Sequence, residues 1–305
     1  MKSIQKVYLS GLGAIGSSYA SRLVEWEPDS LAVIAGKERI DRYRRNGITV
    51  NGKSYSFRFV APEAAEGPAD LILIAVKQHH LEQCLKDIRN FVGPKTVILS
   101  LLNGITSEEI IGREYGMEKM LYSFVVGTDA VREGTSTSFS MLGTIVFGEK
   151  NNTVYSEKVT AVKELFDRAG IPYKIPEDML RELWWKFMLN VGINQTSAVL
   201  KAPYRIFQQI GEARELMVMA SREVIALSRK IGLNLQEEDI DSYIKVIDTL
   251  APEGKTSMLQ DVEAKRRTEV EIFAGTVIQL GRRYGVDTPV NEVLYRMIRT
   301  LEQMY

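Results

Sequence analysis

Val7-Tyr8-Leu9-Ser10-Gly11-Leu12-Gly13-Ala14-Ile15-Gly16 is a short apolar run that breaks into a glycine-rich turn and then into a helical pattern. A G-x-G-x-x-G spacing carries weight when it follows a strand and opens a helix, because each glycine then has a task. Gly11 permits the tight turn, Gly13 lets the backbone approach a pyrophosphate, and Gly16 allows close helix–strand packing. Gly11, Leu12, Gly13, Ala14, Ile15 and Gly16 thus form a candidate dinucleotide-binding turn, with the N–H groups of the helix start facing the phosphates. The plainer reading is a structural glycine turn.

Working outward, apolar strand-like runs at Lys6–Leu9, Leu31–Ala35, Leu71–Val76, Thr96–Leu101, Leu121–Val126 and Thr144–Phe147 alternate with helical patterns. Such alternation predicts a parallel, doubly wound sheet. Past about residue 178 the texture changes to helical patterns at 178–200, 204–232, 236–249, 256–284 and 290–304. Between the two lies Ala169-Gly170-Ile171-Pro172-Tyr173-Lys174-Ile175-Pro176, where two prolines and a glycine stop a helix. The expected fold class is α/β: an N-terminal Rossmann-like doubly wound sheet, residues 1–174, followed by an all-helical C-terminal domain, residues 175–305.

Composition narrows the function. With 305 residues, 45% of them hydrophobic, the chain can bury the cores of two domains. Lys plus Arg equals Asp plus Glu at 39 each, which gives no bulk charge to attract nucleic acid or an anionic membrane. No stretch reaches the ~18 apolar residues that span a bilayer. Cys84 has no intramolecular partner, which fits a reducing compartment and a buried apolar role; the expectation is a cytoplasmic protein. One cysteine and two histidines, His79 and His80, make a transition-metal site improbable on donor count. No G-x-S-x-G marks a serine nucleophile.

The second half carries its own signal. In Leu183 to Leu200, LWWKFMLNVGINQTSAVL, the polar residues Lys186, Asn190 and Asn194 recur at i, i+4 and i+8 and share one flank of a helix. Taking a lysine out of water disfavours its charged form and brings its pKa toward neutrality, where it can serve as a general acid. Two amides beside it offer donors and acceptors for a hydroxyl, carbonyl or carboxylate. The alternative is a snorkelling lysine with two asparagines bridging helices. Trp184-Trp185 reads as packing.

Four signatures in fixed order, GLGAIG at 11–16, VKQHH at 76–80, LNG at 102–104, and the Lys186/Asn190/Asn194 helix followed by TSMLQDVEAKRRTEVE at 256–271, resemble the ketopantoate reductase family over nearly the whole chain. The resemblance implies NADPH-dependent reduction of 2-dehydropantoate to (R)-pantoate in pantothenate and coenzyme A biosynthesis. It implies Lys186 as general acid and Asn190, Asn194 and Ser257 as substrate contacts. Asn103 would lie between nicotinamide and substrate, Lys77 near the cofactor, and Glu269 would serve both catalysis and cofactor binding. Plainer readings stand beside these: Ser257 as a helix N-cap, Glu269 as an ion-pair partner of Arg266 or Arg267, and Asn103 as a turn residue. A protonated Lys186 would stabilise the charge that develops on the carbonyl oxygen, and a nearby Glu269 would orient it and favour its charged form.

Two positions depart from the family pattern. Gly36 stands where the family places an arginine for the 2′-phosphate of NADP, which leaves Lys37 or Arg39 for that task. Leu102 replaces the glutamine of QNG, so a paralogous NADPH-dependent reductase of another branched 2-oxo acid is the first alternative. A non-catalytic NADP-binding sensor is the second. The expected partner is a small 2-oxo acid. Ile206, Leu216, Met217, Met219 and Ile225 serve either a homodimer interface or the helical domain's own core.

Overall fold

Leu71-Ile72-Leu73-Ile74 and Val97-Ile98-Leu99 are apolar at successive positions, so both faces of any strand they form must be covered. The computed structural model, which describes residues 3–305, divides into two compact units, the first ending at Met179 and the second spanning Leu180–Tyr305. The division falls a few residues past the expected 174/175 joint. Residues 175–179 run back along the first unit: Asn152 N donates to Glu177 O at 2.9 Å and Met179 N to Lys150 O at 3.1 Å.

The strands in chain order are β1 (Val7–Ser10), β2 (Leu31–Ile34), β3 (Thr49–Val50), β4 (Lys53–Ser54), β5 (Arg58–Val60), β6 (Leu71–Ile74), β7 (Val97–Ser100), β8 (Met120–Val126), β9 (Val131–Glu133), β10 (Ser136–Ser138), β11 (Thr144–Gly148) and β12 (Tyr173–Lys174). The helices of the first unit are α1 (Ala14–Trp26), α2 (Lys37–Asn46), α3 (Leu81–Ile88), α4 (Ser107–Tyr115) and α5 (Glu157–Ala169). The main sheet has the order β12-β11-β8-β7-β6-β1-β2-β5. From β8 to β5 every pairing is parallel, whereas β11 runs antiparallel to β8. Six parallel strands in this order are the doubly wound Rossmann arrangement, whose ligand crevice opens at the carboxyl ends of the strands where the winding reverses, here between β1 and β6.

Alternation of side chains divides the core. Val7, Leu9, Leu31, Val33, Leu71, Leu73, Val97 and Leu99 enter one apolar cluster, while Tyr8, Ala32, Ile34, Ile72, Ile74 and Ile98 enter the other. Every expected strand forms within a residue or two of its predicted ends. The very short strands, β3, β4, β9, β10 and β12, and the edge strand β5, with Arg58 on its exposed side, lack the apolar run that marks the others.

The second unit holds α6 (Met179–Leu200), α7 (Tyr204–Gln209), α8 (Gly211–Lys230), α9 (Glu237–Thr249), α10 (Ser257–Glu263), α11 (Thr276–Tyr284) and α12 (Pro289–Gln303). Two predicted helices are broken. The 204–232 pattern divides at Ile210, whose backbone is extended. The 256–284 pattern stops at Glu263, passes through Lys265 with φ of 52°, and resumes as a π turn at Glu271–Gly275 before α11. That interruption sets Glu269 in a bend rather than on a helix. Of the residues offered for a dimer surface, Met217 and Ile225 fill the unit's own core, Ile206 and Leu216 are half-buried, and Met219 is exposed.

The glycine turn after β1 separates steric need from other need. Gly11 has φ of 104°, and a Cβ there would lie 2.5 Å from Ala75 O. A Cβ on Gly16 would lie 1.9 Å from Gly11 O, so α1 sits against the turn only because Gly16 has no side chain. Gly13 differs: its φ is −75° and the nearest atom to a Cβ there is Ala75 O at 3.8 Å. Gly16→Ala should therefore destabilise the protein by about 3 kcal/mol or more. Gly13→Ala should stay within about 1 kcal/mol of the parent in the same denaturant titration.

Candidate active site

In the first unit, the residues singled out from the sequence gather at the carboxyl ends of the parallel strands. Gly11–Gly16 follow β1, Gly36 and Lys37 follow β2, Lys77 follows β6, and Asn103 follows β7. Ala75 N donates to Ser10 O at 2.8 Å, which continues the β1–β6 pairing into the crevice. Gly13 caps α1 without a side-chain hydrogen bond, so the helix start presents backbone donors. Gln78 Oε1 is buried and accepts no hydrogen bond among the described residues. A turn whose Gly13 is not demanded by the fold, an open helix N-terminus and an orphaned acceptor together fit a dinucleotide with phosphate and amide groups.

The neighbourhood is electropositive. Burial first, then Arg39 and Lys77, hold the His80 pKa below its usual value. Lys37 extends into solvent and pairs with Asp41 at 2.8 Å, an exposed i,i+4 pair of small worth. Leu102 is 4% exposed and belongs to the apolar cluster with Ile98 and Ile111. Its side chain is thus part of the core, which removes the reason for treating it as a pocket residue. Cys84 is likewise buried, with Sγ 3.1 Å from Ser10 Oγ, and burial pushes its thiol up to about 12. Such a thiol stays protonated and inert.

In the second unit, α6 carries Lys186, Asn190 and Asn194 on consecutive turns as the spacing predicts. Asn190 and Asn194 are 4% and 7% exposed, and Asn194 Nδ2 donates to Asn190 Oδ1 at 3.2 Å. Ser257 Oγ donates to Asn194 Oδ1 at 3.2 Å, which extends the row to α10. Ser257 is the first helical residue of α10 and not its cap. The cap is Thr256, whose Oγ1 accepts from Leu259 N at 3.1 Å and lies 3.1 Å from Ser197 Oγ of α6. Thr256 therefore both starts α10 and fixes its entry against α6, leaving Ser257 to reach Asn194.

Lys186 is half-buried as a residue, yet burial of its amine brings the pKa down to about 8, with no other contribution. At neutral pH the group is mostly protonated and close to its titration point, as a general acid requires.

Sequence reasoning missed the polar residues behind this row. Gln195 is fully buried; its Nε2 donates to Val191 O at 2.8 Å and to Asn291 Oδ1 at 3.0 Å, and its Oε1 accepts from Ala274 N at 3.1 Å. Asn291 Nδ2 donates to Glu223 Oε2 at 2.7 Å, and Glu223 also accepts from the N–H groups of Val290 and Asn291. α6, α8, α12 and the π turn after Glu269 are joined through these side chains. The signal available in the sequence was the run Asn194-Gln195-Thr196-Ser197, too polar for the centre of an apolar helix unless every member is paired.

Among the described residues no helix is long and apolar enough to cross a membrane, and no group of three or more His, Cys, Asp or Glu could hold a metal ion. Residues 7–152 match the family described as ketopantoate reductase PanE/ApbA, and residues 178–302 match its C-terminal domain. A 2-dehydropantoate 2-reductase of Aquifex aeolicus is 27% identical over 98% of this chain and 97% of its own. Among solved structures, D-mandelate dehydrogenase in complex with NADH superposes with a TM-score of 0.89 at 20% identity, covering 98% of this chain and 99% of that one. A dimeric ketopantoate reductase of Staphylococcus aureus gives 0.80 at 20% identity over 98% and 99%. With both domains matched in order and along most of its length, this chain belongs to the ketopantoate reductase family of oxidoreductases.

Proposed function

We propose that this protein reduces 2-dehydropantoate to (R)-pantoate with NADPH and that Lys186 is the general acid. The observation that carries the reading is the hydrogen-bonded row Asn190–Asn194 of α6 and Ser257 of α10, which begins one turn from a lysine whose pKa burial has lowered to about 8. A bound reduced nicotinamide supplies the hydride that reaches the carbonyl carbon. The chain supplies the rest. Gly11–Gly16 hold the diphosphate, Lys77 and Asn103 contact the cofactor, and Asn103 also contacts substrate. Asn190, Asn194 and Ser257 orient the substrate's hydroxyl and carboxylate. Lys186 donates a hydrogen bond to the carbonyl oxygen, stabilises the negative charge that grows there, and then releases its proton to it. Glu269, in the bend before the π turn, orients the lysine and contacts the cofactor.

NADPH is favoured over NADH because no acidic side chain stands at the tip of β2 to take a ribose hydroxyl, whereas Lys37 and Arg39 follow it. Lys37 would have to leave Asp41, at small cost for an exposed pair. A homodimer is the expected assembly by likeness to the Staphylococcus aureus protein. A second reading, reduction of another branched 2-oxo acid, is favoured by the shape shared with D-mandelate dehydrogenase, which acts on a different 2-hydroxy acid.

The deciding assay is NADPH oxidation with 2-dehydropantoate and a panel of 2-oxo acids, including the phenyl 2-oxo acid that corresponds to mandelate, repeated with NADH. A high kcat/KM confined to 2-dehydropantoate and NADPH is expected; turnover only with another acid assigns the second reading, and none despite cofactor binding assigns a sensor. Lys186→Ala should lower kcat by roughly 10² to 10⁴-fold while NADPH binding persists, and unchanged turnover would remove Lys186 from the chemistry. Because the acid must be protonated, kcat/KM should fall as pH rises through about 8. Gly13→Ala, which should fold, is expected to weaken NADPH binding by at least ~10-fold in a fluorescence titration.

A further inference from the structure

The loop that carries Asn103 leaves β7 at Ser100 and re-enters helix at Ser107, and its two stems are tied by a 2.7 Å contact between the Ser100 and Ser107 hydroxyls. Ser107 Oγ also donates to Glu108 Oε2 at 2.9 Å. Glu108 Oε1 accepts from Ser123 N of β8 at 3.4 Å, and Ser123 Oγ donates to Ser100 O at 2.7 Å, which closes a ring. Leu102 N, adjacent to Asn103, makes a long 3.5 Å contact with Ser100 Oγ. Ser100 and Ser123 are fully buried, and Ser107 and Glu108 are 1% exposed.

A carboxyl so placed has no cation partner among the described residues. The ionisable groups that face it are Glu109 on its own helix, which opposes its charge, and Tyr122 on β8, whose own pKa is raised by burial first and then by Glu108. An uncompensated buried carboxylate is a poor way to stabilise a fold, and a neutral amide would fill the space at less cost. The reason to keep an acid lies in the order of donors. When Glu108 is ionised, Ser107 must donate to it, so the Ser107 oxygen accepts from Ser100 and the Ser100 oxygen is left for Leu102 N–H. Every donor in the chain is then used. When Glu108 is protonated it can donate to Ser107 and the sequence can reverse: the Ser100 oxygen then takes the Ser107 O–H beside the Leu102 N–H, and the Ser100 proton loses its acceptor.

We propose that Glu108 is a positioning residue: its ionisation sets the direction of the Ser107–Ser100 hydroxyl chain and so holds the Leu101–Gly104 loop, with Asn103, in one pose. The idea rests on the reading of Asn103 as a cofactor and substrate contact only for its effect on turnover. Burial pushes the Glu108 carboxyl up to about 7, which puts the two donor orders within reach of ordinary assay conditions.

The test is amide hydrogen exchange of residues 101–106 between pH 6 and 8, corrected for the intrinsic pH dependence of exchange, in the parent, Glu108→Gln and Ser107→Ala. It is paired with kcat/KM against pH and with thermal melts. In the parent, protection of this segment relative to that of the β7 amides in the same sample, which carries the loss of overall stability, should rise from pH 6 to 7.5, and so should kcat/KM. In Glu108→Gln both should become flat over that range, with kcat/KM lower at pH 7.5 by roughly 10 to 100-fold and a melting temperature at pH 8 no lower than the parent's. Ser107→Ala leaves the carboxyl in place and should flatten the response in the same way, which keeps the test alive if Glu108→Gln fails to fold. Parent protection that ignores pH, or a variant that keeps the parent's pH response, overturns the proposal. A parent that turns over no 2-oxo acid yet shows the exchange response defeats the catalytic reading and leaves the positioning role standing.

Discussion

A polar side chain taken out of water must find a hydrogen-bond partner or give up its charge, and both units are organised by how that constraint is met. Glu223 meets it fully, with two backbone N–H groups and the Asn291 amide on its oxygens. Glu108 meets it in part, with its own N–H, one hydroxyl and one long backbone contact from β8, and burial still raises its pKa to about 7. Lys186 meets it least, and its pKa falls to about 8. Groups that hold helices together are saturated, whereas the group proposed to move a proton is left for a substrate to complete.

The scaffold explains how so few residues suffice. A parallel sheet covered on both faces places the turns after β1, β2, β6 and β7 along one edge, so the glycine turn, Lys37, Lys77 and Asn103 need no long excursions. In the helical unit the comparable device is α6, whose buried polar stretch is read from two sides. Asn190 and Asn194 form a row with Ser257, while Gln195, one residue on, anchors the backbone of the π turn through Ala274 N. A π turn frees a backbone donor from the regular ladder, and a buried glutamine oxygen takes it up. The bend that carries Glu269 is thereby fixed to the same helix that carries Lys186.

Much of this was legible in the sequence because it is local. The strand-turn-helix character of residues 7–26 follows from spacing, and so does the common flank of Lys186, Asn190 and Asn194. What was not legible depends on partners far apart in the chain. Gln195 and Asn291 are 96 residues apart, and Glu223 and Asn291 are 68 apart, so no window of sequence shows that they satisfy one another. The unbroken helix expected over 256–284 failed for a related reason. Its periodicity runs on through Lys265 and Arg266, but the left-handed conformation at Lys265 and the hydrogen bond from Arg266 Nε to Asp261 at 2.9 Å belong to a tertiary turn that periodicity does not encode. Ser257 looked like a cap because it precedes an apolar run, whereas Thr256, one residue earlier, has the second partner in Ser197 that decides the matter.

The two titrating groups also set a relation between stability and pH. Glu108 has a folded-state pKa near 7 against 4.5 unfolded, so the folded protein holds its proton longer; the stability this gives is complete below pH 4.5 and is lost as pH rises through 7. Lys186 has a folded-state pKa near 8 against 10.5 unfolded; its contribution is present above 10.5 and is lost as pH falls through 8. Between pH 7 and 8 both groups are predominantly in their charged forms inside the protein, which is the least stable combination of the four. It is also the combination the proposed chemistry requires, with an ionised Glu108 ordering the Asn103 loop and a protonated Lys186 ready to donate. Stability given up at two positions in one pH window, where a neutral side chain would cost less at each, is the pattern expected when a site is tuned for proton transfer rather than for the fold.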